Sequence, residues 1–326
     1  MKVEIFRRTV KDRRRGASYD LLQYMAEGVR ACGDEPIMVN ETKTGEWTKD
    51  EMEPTAPIGC MFGYGGSNQM HHTKGRRRDL VERAKKKGIK IITFDGGLLS
   101  SFGNVHGPNH HWRVSLFSPM NNGDFLSDNS PPDRWEAMVK RFNIESEPWR
   151  KSNKADPIMF VLQPKDNWSM NELDPIDWFN DVYKKIRPIT DRKLIVRPHP
   201  NHTVAIENRL NEFPSDVEVY IGQKYFKGDE KKHYRFHFQE AITNLHAVVT
   251  HNSTAGVDSC VRGIPTFNTS DLAISWPVAN KNLTKIESPE YPDRTQWLYD
   301  LGYKLWSEEE IRNGTVFKRF KDKLGM

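Results

Sequence analysis

The chain has 326 residues, of which 37% are hydrophobic and 29% charged, with 49 Lys and Arg against 44 Asp and Glu. This composition is typical of a globular protein long enough for two domains. No stretch is long and apolar enough to span a bilayer, the first residues lack the apolar centre of a signal peptide, and we find no low-complexity tract or short-period repeat.

The first half of the chain alternates apolar strand patterns with helical ones. In chain order we predict strand Lys2–Phe6, helix Tyr19–Cys32, strand Ile37–Val39, strand Ile58–Tyr64, helix Asp79–Lys87 and strand Ile89–Phe94. Strands and helices that alternate in this way indicate parallel βα units.

The pattern weakens between Asn121 and Pro157, where one helix is predicted over Arg134–Phe142, and then resumes. We predict strand Ile158–Leu162, helix Ile176–Ile186, strand Leu194–Val196, helix Ala205–Asn211, strand Val217–Tyr220, helix Phe238–Asn244, strand Ala247–Thr250, a helix from Ala255, strand Thr266–Phe267, and two C-terminal helices, Arg294–Leu305 and Ser307–Lys323. The sequence therefore predicts an α/β protein with two Rossmann-like domains, 1–145 and 146–290, followed by C-terminal helices in 291–326 that cross back.

Two predicted strands of the second domain end in polar residues suited to a nucleotide phosphate. Ser253 and Thr254 lie at the start of a helix, where hydroxyl caps and a positive dipole favour an anion, and Gly256 follows them. Arg197 and His199 lie at the end of another strand, where prolines on both sides of His199 restrict the backbone. The alternatives are an ordinary helix cap and a rigid turn.

Neighbouring residues add to this polar edge. His251 and Asn252 precede Ser253, and Asp258 on the following helix either contacts a ligand hydroxyl or faces solvent. In the first domain, Asp95 follows a buried strand and precedes Gly96 and Gly97, which would let an acceptor approach its carboxylate closely. The alternative for Asp95 is a tight Asp-Gly turn.

The glycine-rich turn that contains Gly65 and Gly66 matches neither a dinucleotide-binding nor a Walker pattern. Neither the His71-His72 pair nor the His110-His111 pair has carboxylates or cysteines at ligand spacing, so we expect no metal. The cysteines, Cys32, Cys60 and Cys260, are odd in number and far apart, which favours a reducing compartment and a cytoplasmic protein.

Basic clusters concentrate in the first half of the chain. Arginine triplets occur at Arg13, Arg14 and Arg15 and at Arg76, Arg77 and Arg78, and Lys85–Lys87 follows on a predicted helix face. Lysine runs usually form a solvated helix face, but two arginine triplets at predicted loop positions indicate a polyanionic acceptor, and they are candidates for contacts with DNA phosphates.

Together these segments resemble the capsule-type (Kdo- and sialyl-type) glycosyltransferases. The likeness rests on Phe62-Gly63-Tyr64-Gly65, on Asp95-Gly96-Gly97-Leu98-Leu99-Ser100, on Arg197-Pro198-His199-Pro200 and on Asn252-Ser253-Thr254-Ala255-Gly256. It spans roughly residues 58–270 and implies a GT-B fold, two Rossmann-like domains facing a cleft, with metal-independent inverting transfer from a nucleotide sugar. Gly97 and Leu99 depart from the aromatic and arginine residues of the family's loop, which leaves the sugar open.

The resemblance also implies roles for individual residues. Asp95 would be the general base on the acceptor hydroxyl, and His199, with Arg197, would stabilise the departing phosphate. The remaining implied contacts are on the donor side, His251, Asn252, Ser253, Thr254, Gly256 and Asp258, and on the acceptor side, Gly65, Gly66, Gly96 and Gly97. The donor implied is a UDP- or CMP-linked sugar, used without a cofactor or metal.

Two acceptors fit this likeness. One is a 5-hydroxymethylated pyrimidine in bacteriophage DNA, modified by a glucosyl- or arabinosyltransferase in the host cytoplasm, which the arginine triplets favour. The other is a capsule or surface polysaccharide, whose enzymes are also basic because they dock on anionic membranes. Alternatives of another class are a nucleotide-sugar epimerase and a non-catalytic nucleotide-sugar-binding protein. Whichever of these applies, we expect no insertion into a membrane.

Overall fold

A computed structural model describes residues 1–7, 16–40, 53–63, 72–102, 109–165, 167–170, 173–199, 202–220 and 244–326, with backbone alone at 16–19, 40, 72–76 and 168. The strands are β1 Lys2–Arg7, β2 Glu35–Asn40, β3 Ile58–Phe62, β4 Lys90–Asp95, β5 His111–Leu116, β6 Ile158–Val161, β7 Leu194–Arg197, β8 Val217–Val219, β9 Ala247–Thr250, β10 Thr266–Asn268 and β11 Leu305–Ser307. The helices are α1 Gly16–Ala31, α2 His72–Lys86, α3 Asp133–Phe142, α4 Pro175–Ile186, α5 Thr203–Glu207, α6 Ala255–Val261, α7 Thr295–Gly302, α8 Glu308–Arg312 and α9 Thr315–Leu324.

The described chain divides into two compact units, and the division falls within α3 and α7. Unit 1 comprises Met1–Met138 and Tyr299–Met326, and unit 2 comprises Val139–Leu298. The predicted helix Phe238–Asn244 lies almost wholly outside the described residues. Among those residues, we find no helix with the length and apolar character required to cross a bilayer.

Unit 1 contains a six-stranded sheet in the order β11-β5-β4-β3-β1-β2. The pairs β1–β2, β1–β3 and β3–β4 are parallel, as the alternating pattern predicted. Strands β5 and β11 were not predicted, and both pair in the antiparallel sense, β5 with β4 and β11 with β5. All six residues of β5 are buried, and polar residues at 111, 113 and 115 alternate with apolar ones, a strand pattern that the sequence analysis did not use.

The C-terminal segment is part of the core of unit 1. Ile311, Val316 and Phe317 pack in the same buried cluster as Val3 of β1 and Leu22 of α1. We predicted one helix over Ser307–Lys323, but the chain forms α8 and α9, separated by Gly314 at a φ of 87°. The left-handed backbone at Gly314 ends a helix readily, because glycine has no Cβ to oppose it.

A second prediction for this segment was also wrong at its end. The helix predicted over Arg294–Leu305 stops at Gly302, and the chain continues into β11. A Cβ at Gly302 would lie 2.9 Å from the backbone nitrogen of Trp135, so this close approach requires glycine.

Unit 2 contains a five-stranded, fully parallel sheet in the order β10-β9-β6-β7-β8. The chain runs outward from β6 through β7 and β8 and then returns to the other side of β6 to form β9 and β10. The change of direction lies between β6 and β9, and ligands of such sheets bind outside the carboxyl ends of the strands at this switch point. The α/β class is confirmed, with two separate sheets that are mostly parallel.

Candidate active site

Asp95 is the last residue of β4, at the carboxyl edge of the sheet in unit 1. Its Oδ1 accepts a hydrogen bond from the Gly96 backbone nitrogen at 2.7 Å, and its Oδ2 accepts one from Arg113 Nη2 at 2.9 Å. The side chain of Asp95 is 18% exposed and that of Arg113 is 10% exposed. Because each carboxylate oxygen has two lone pairs, Asp95 retains capacity to accept a proton from a hydroxyl.

Arg113 is a functional candidate that the sequence analysis missed. It lies directly opposite Asp95 in the antiparallel β4–β5 register. Its Nη1 approaches Met120 Sδ at 3.9 Å, and its buried Nε has no hydrogen-bond partner among the described residues. The sequence signal available was the alternation of polar and apolar residues in His111–Leu116, which predicts a strand with Arg113 on its polar side but does not identify β4 as its partner.

The loop after Asp95 is held against β5. The Gly97 backbone nitrogen donates to His110 Nε2 at 3.1 Å, so a neutral His110 carries its proton on Nδ1. A Cβ at Gly97 would lie 2.5 Å from the carbonyl oxygen of His111, whereas a Cβ at Gly96 would meet no atom of the described, non-adjacent residues within 4 Å. Gly97 is therefore required by packing, whereas none of those described residues fills the space beside Gly96.

The other acceptor-side candidates are only partly described. Gly65, Gly66, Arg13, Arg14 and Arg15 lie outside the described residues, as does the side chain of Arg76. Arg77 donates from Nη1 to the Phe62 carbonyl oxygen at 2.6 Å, so part of its guanidinium binds the end of β3. Arg78 is exposed on α2.

In unit 2, the loops after β6, β7 and β9 leave the sheet at one edge. Arg197 is the last residue of β7 and is 2% exposed, with its guanidinium carbon 5.7 Å from the centre of the Tyr220 ring. His199 follows and is half-buried. The structure thus brings Arg197 and His199 to the same sheet edge as Ser253, although β6 lies between their strands.

Asn252 connects the two loops that flank the switch point. Its backbone nitrogen donates to Gln163 Oε1 at 3.1 Å, and its Nδ2 donates to the Ser169 carbonyl oxygen at 2.7 Å. Gln163 Nε2 in turn donates to Ser169 Oγ at 2.9 Å. Gln163 and Ser169, which the sequence analysis missed, therefore fix the loop that carries Ser253.

The first turn of α6 differs from the expectation of free backbone N–H groups. Ser253 Oγ accepts from the Ala255 nitrogen at 3.2 Å, and the Ser253 carbonyl accepts from the Gly256 nitrogen at 3.0 Å. The Thr254 carbonyl accepts from the nitrogens of residues 257 and 258, and the Thr254 side chain makes no capping bond. The groups left to donate to a phosphate are the Thr254 backbone N–H, which has no hydrogen-bond partner among the described residues, and the Ser253 and Thr254 hydroxyls.

His251 lies in a hydrogen-bonded chain at this edge. Trp178 Nε1 donates to Thr269 Oγ1 at 2.8 Å, and the same oxygen lies 2.9 Å from His251 Nδ1. Burial lowers the pKa of His251, so its imidazole is neutral at neutral pH. With the Thr269 hydroxyl donating to Nδ1, Nε2 of His251 carries the proton and is a hydrogen-bond donor.

Gly256 has a packing role, and Asp258 is buried. A Cβ at Gly256 would lie 2.8 Å from Ser275 Oγ, so glycine permits α6 to pack closely there. Asp258 is 7% exposed, which overturns the alternative that it faces solvent.

In the described part of the chain, no cluster of three or more His, Cys, Asp or Glu side chains is suited to a metal ion. Burial raises the pKa of the Cys260 thiol to about 12.

Comparison with known proteins gives a fold and no family. No protein-family model and no curated protein sequence matches the chain. Among solved structures, the beta Kdo 2,4 transferase of Thermosulfurimonas dismutans KpsC matches at a TM-score of 0.54 with 13% identity, over 93% of this chain and 90% of that one. The chain has a GT-B fold.

Two other similar structures have lower scores. The beta Kdo 2,7 transferase of the same KpsC matches at a TM-score of 0.48 with 11% identity, over 98% of this chain and all of that one. An alpha-glucosyltransferase in complex with UDP and a 13-mer DNA containing an HMU base matches at 0.32 with 11% identity, over all of both chains. The resemblance to capsule-type transferases is confirmed at the level of the fold.

Proposed function

We propose that this protein is a glycosyltransferase that moves a sugar from a UDP- or CMP-linked donor to a hydroxyl acceptor. The single observation that carries the proposal is the Asp95 carboxylate, held at a sheet edge by Gly96 and Arg113 with remaining capacity to accept a hydrogen bond. A GT-B fold with phosphate-compatible residues at the sheet edge of unit 2 supports it.

Each half of the reaction is assigned to residues of one unit. Asp95 accepts the proton of the acceptor hydroxyl as the hydroxyl oxygen bonds to the anomeric carbon. Arg113 holds Asp95 in place. His199 and Arg197 offset the charge that develops on the departing phosphate, and the Ser253 and Thr254 hydroxyls hold the nucleotide phosphate. No step in this scheme requires a metal.

For the acceptor, we propose a hydroxymethylated pyrimidine of DNA. Support comes from the arginine triplets and the formal net charge of +5, because duplex DNA is positioned mainly by contacts with its phosphates. A surface polysaccharide is the second candidate, and the likeness to KpsC favours it. Unmodified duplex DNA should compete with the acceptor for the enzyme if the acceptor is DNA, and should not compete if the acceptor is a polysaccharide.

The deciding experiment is a transfer assay read by mass spectrometry of nucleosides. Purified protein is incubated with 5-hydroxymethylcytosine DNA or unmodified DNA, a panel of UDP- and CMP-sugars and a chelator. A pentose or hexose mass gained only on hydroxymethylated DNA is the expected result, and the product's anomeric configuration decides between inversion and retention. Donor hydrolysis with no gain on DNA would move the acceptor to a polysaccharide.

An Asp95→Asn variant separates transfer from simple binding. The proposal expects loss of transfer with donor affinity retained, because Asp95 is assigned to the acceptor. The matched control is Asp128→Asn, which removes the same charge from an exposed position of unit 1 and should leave transfer unchanged. Donor binding without hydrolysis or transfer by the unaltered protein would instead establish the non-catalytic alternative.

A further inference from the structure

Unit 1 contains a cavity of about 700 Å³ whose lining does not include Asp95 or Arg113. Its lining residues come from the first part of α3, from β11 and from α9, and all of them belong to unit 1. Its lining includes Arg134, Tyr303, Trp306, Lys318, Arg319 and Lys323. None of them belongs to the candidate active site.

Two arginines and two aromatic rings form one wall of this cavity. The guanidinium carbon of Arg134 lies 4.1 Å from the centre of the Trp306 ring, and that of Arg319 lies 4.5 Å from the centre of the Tyr303 ring. The rings themselves are 6.4 Å apart in an edge-on arrangement. Stacking of this kind holds each guanidinium plane in one orientation without using its hydrogen-bond donors.

The two arginines differ in how many of their N–H groups have hydrogen-bond partners. Arg134 donates to the Gly302 and Leu305 carbonyls at 2.7 and 2.6 Å and forms a two-bond ion pair with Glu310. Arg319, by contrast, makes a single hydrogen bond in the described part of the chain, from Nη2 to the Leu126 carbonyl at 2.8 Å. Its buried Nε has no hydrogen-bond partner there, and no described carboxylate pairs with it.

The charge around Arg319 makes this arrangement costly without an anion. Burial, together with the neighbouring positive charge of Arg134, opposes its ionised form and lowers its pKa. Lys323 lies one turn further along α9, where two like charges at an i, i+4 spacing repel each other. Lys318 also lines the cavity but pairs with Asp322 at 3.0 Å, and Asp133 accepts from the Tyr303 hydroxyl at 3.0 Å.

We propose that this cavity is a phosphate-binding site, in which a phosphate group accepts hydrogen bonds from Arg319 and Lys323. A phosphate offers several oxygens and therefore bridges two cations on one helix face, and a fixed guanidinium suits it. The phosphate belongs either to a nucleic-acid backbone or to a small free phosphate compound. Because binding is the readout, the proposal stands or fails separately from sugar transfer.

The test is a shift in the thermal unfolding midpoint at constant ionic strength. Inorganic phosphate and duplex DNA, matched for total phosphate, are each compared with chloride for the unaltered protein, Arg319→Gln, Lys323→Gln and the control Lys140→Gln, which removes an exposed charge of α3. We expect the phosphate-induced shift to persist in the control, with an apparent Kd weakened about tenfold by Arg319→Gln and about threefold by Lys323→Gln.

The outcomes distinguish a nucleic-acid phosphate from a small phosphate compound, and they include results that would refute the site. A shift at far lower concentration with DNA than with inorganic phosphate assigns the site to a nucleic-acid backbone, and an equal or larger shift with inorganic phosphate assigns it to a small phosphate compound. Equal shifts in all four proteins, or no shift beyond that of chloride, would overturn the proposal. If Arg319→Gln does not fold, the exposed Lys323→Gln decides against the same control.

Discussion

The Asp95–Arg113 pair allows the proposed base to be tested by stability and by rate in the same variant. Asp95→Asn keeps the side chain's shape but removes the charge that faces Arg113. Fully exposed ion pairs contribute about 0–1 kcal/mol, whereas breaking a buried one costs about 3–5 kcal/mol. With side chains 18% and 10% exposed, this pair lies between those limits, so the free energy of unfolding should fall by about 2 kcal/mol.

The effect on rate should be much larger than the effect on stability. Removing a general base lowers kcat by about 10²- to 10⁴-fold, and KM for the donor should change little because the donor contacts are assigned to unit 2. Arg113→Gln should lower kcat less, since Asp95 keeps its bond from Gly96. A positioning role for Arg113 also predicts partial rescue of an Arg113→Ala variant by added guanidinium.

The stability arm uses urea unfolding of the two single variants and the double variant. The double variant should be more stable than the sum of the single effects predicts, because removing Arg113 also removes the unpaired charge that Asp95→Asn leaves behind. A kcat for Asp95→Asn within tenfold of the unaltered protein, in folded material, would refute Asp95 as the base. Additive stability effects would refute the ion pair itself.

Three further substitutions or conditions test the structure around the two sheet edges. Gly97→Ala should cost about 1–3 kcal/mol in urea unfolding, because its Cβ would lie 2.5 Å from a β5 carbonyl. Gly96→Ala is the matched control for stability alone, and unchanged stability of Gly97→Ala would contradict this packing. Asp174 caps α4, and although burial would raise its pKa, the bonds from Arg209, the Ile176 nitrogen and Lys165 lower it to about 2. Asp174→Ala should therefore cost about 2 kcal/mol near neutral pH and progressively less as the pH falls from about 4 towards 2, and a pH-independent cost in unfolding measurements would argue against the ion pairs. Burial lowers the pKa values of His246 and His251, so as the pH falls these histidines are protonated in the unfolded chain before they are protonated in the folded protein. The free energy of unfolding should therefore drop below about pH 6.5, by at most about 1.4 kcal/mol per pH unit for each histidine. His251→Gln should make this pH dependence weaker, and a pH-independent stability of the unaltered protein would exclude the linkage.

The parts of the fold that sequence predicted are those decided by local pattern. The strands β1, β3, β4, β6 and β9 are runs of buried apolar residues, and buried parallel strands produce such runs. The polar residues at their ends, such as Asp95 and Ser253, were recognisable because the carboxyl ends of parallel strands meet at one edge.

The parts that sequence could not predict depend on contacts between distant residues. Strand β11 has three residues and is specified by pairing with β5, nearly 200 positions earlier in the chain. Arg113 becomes part of the candidate site only through its antiparallel register with Asp95. Gln163 and Asn252 are 89 positions apart and meet only because the switch point places β6 beside β9.

The same long-range contacts explain why the donor edge in unit 2 depends on side chains more than on a helix terminus. Helix α6 has seven residues, and its first N–H groups are already taken by Ser253 and Thr254. A helix that short has a small dipole, and an N–H group that is bonded internally offers little to a phosphate. Under the proposed function, the donor phosphate is therefore bound by the Ser253 and Thr254 hydroxyls, the Thr254 N–H and His251. Gln163 and Thr269 in neighbouring loops hold the segment that carries them.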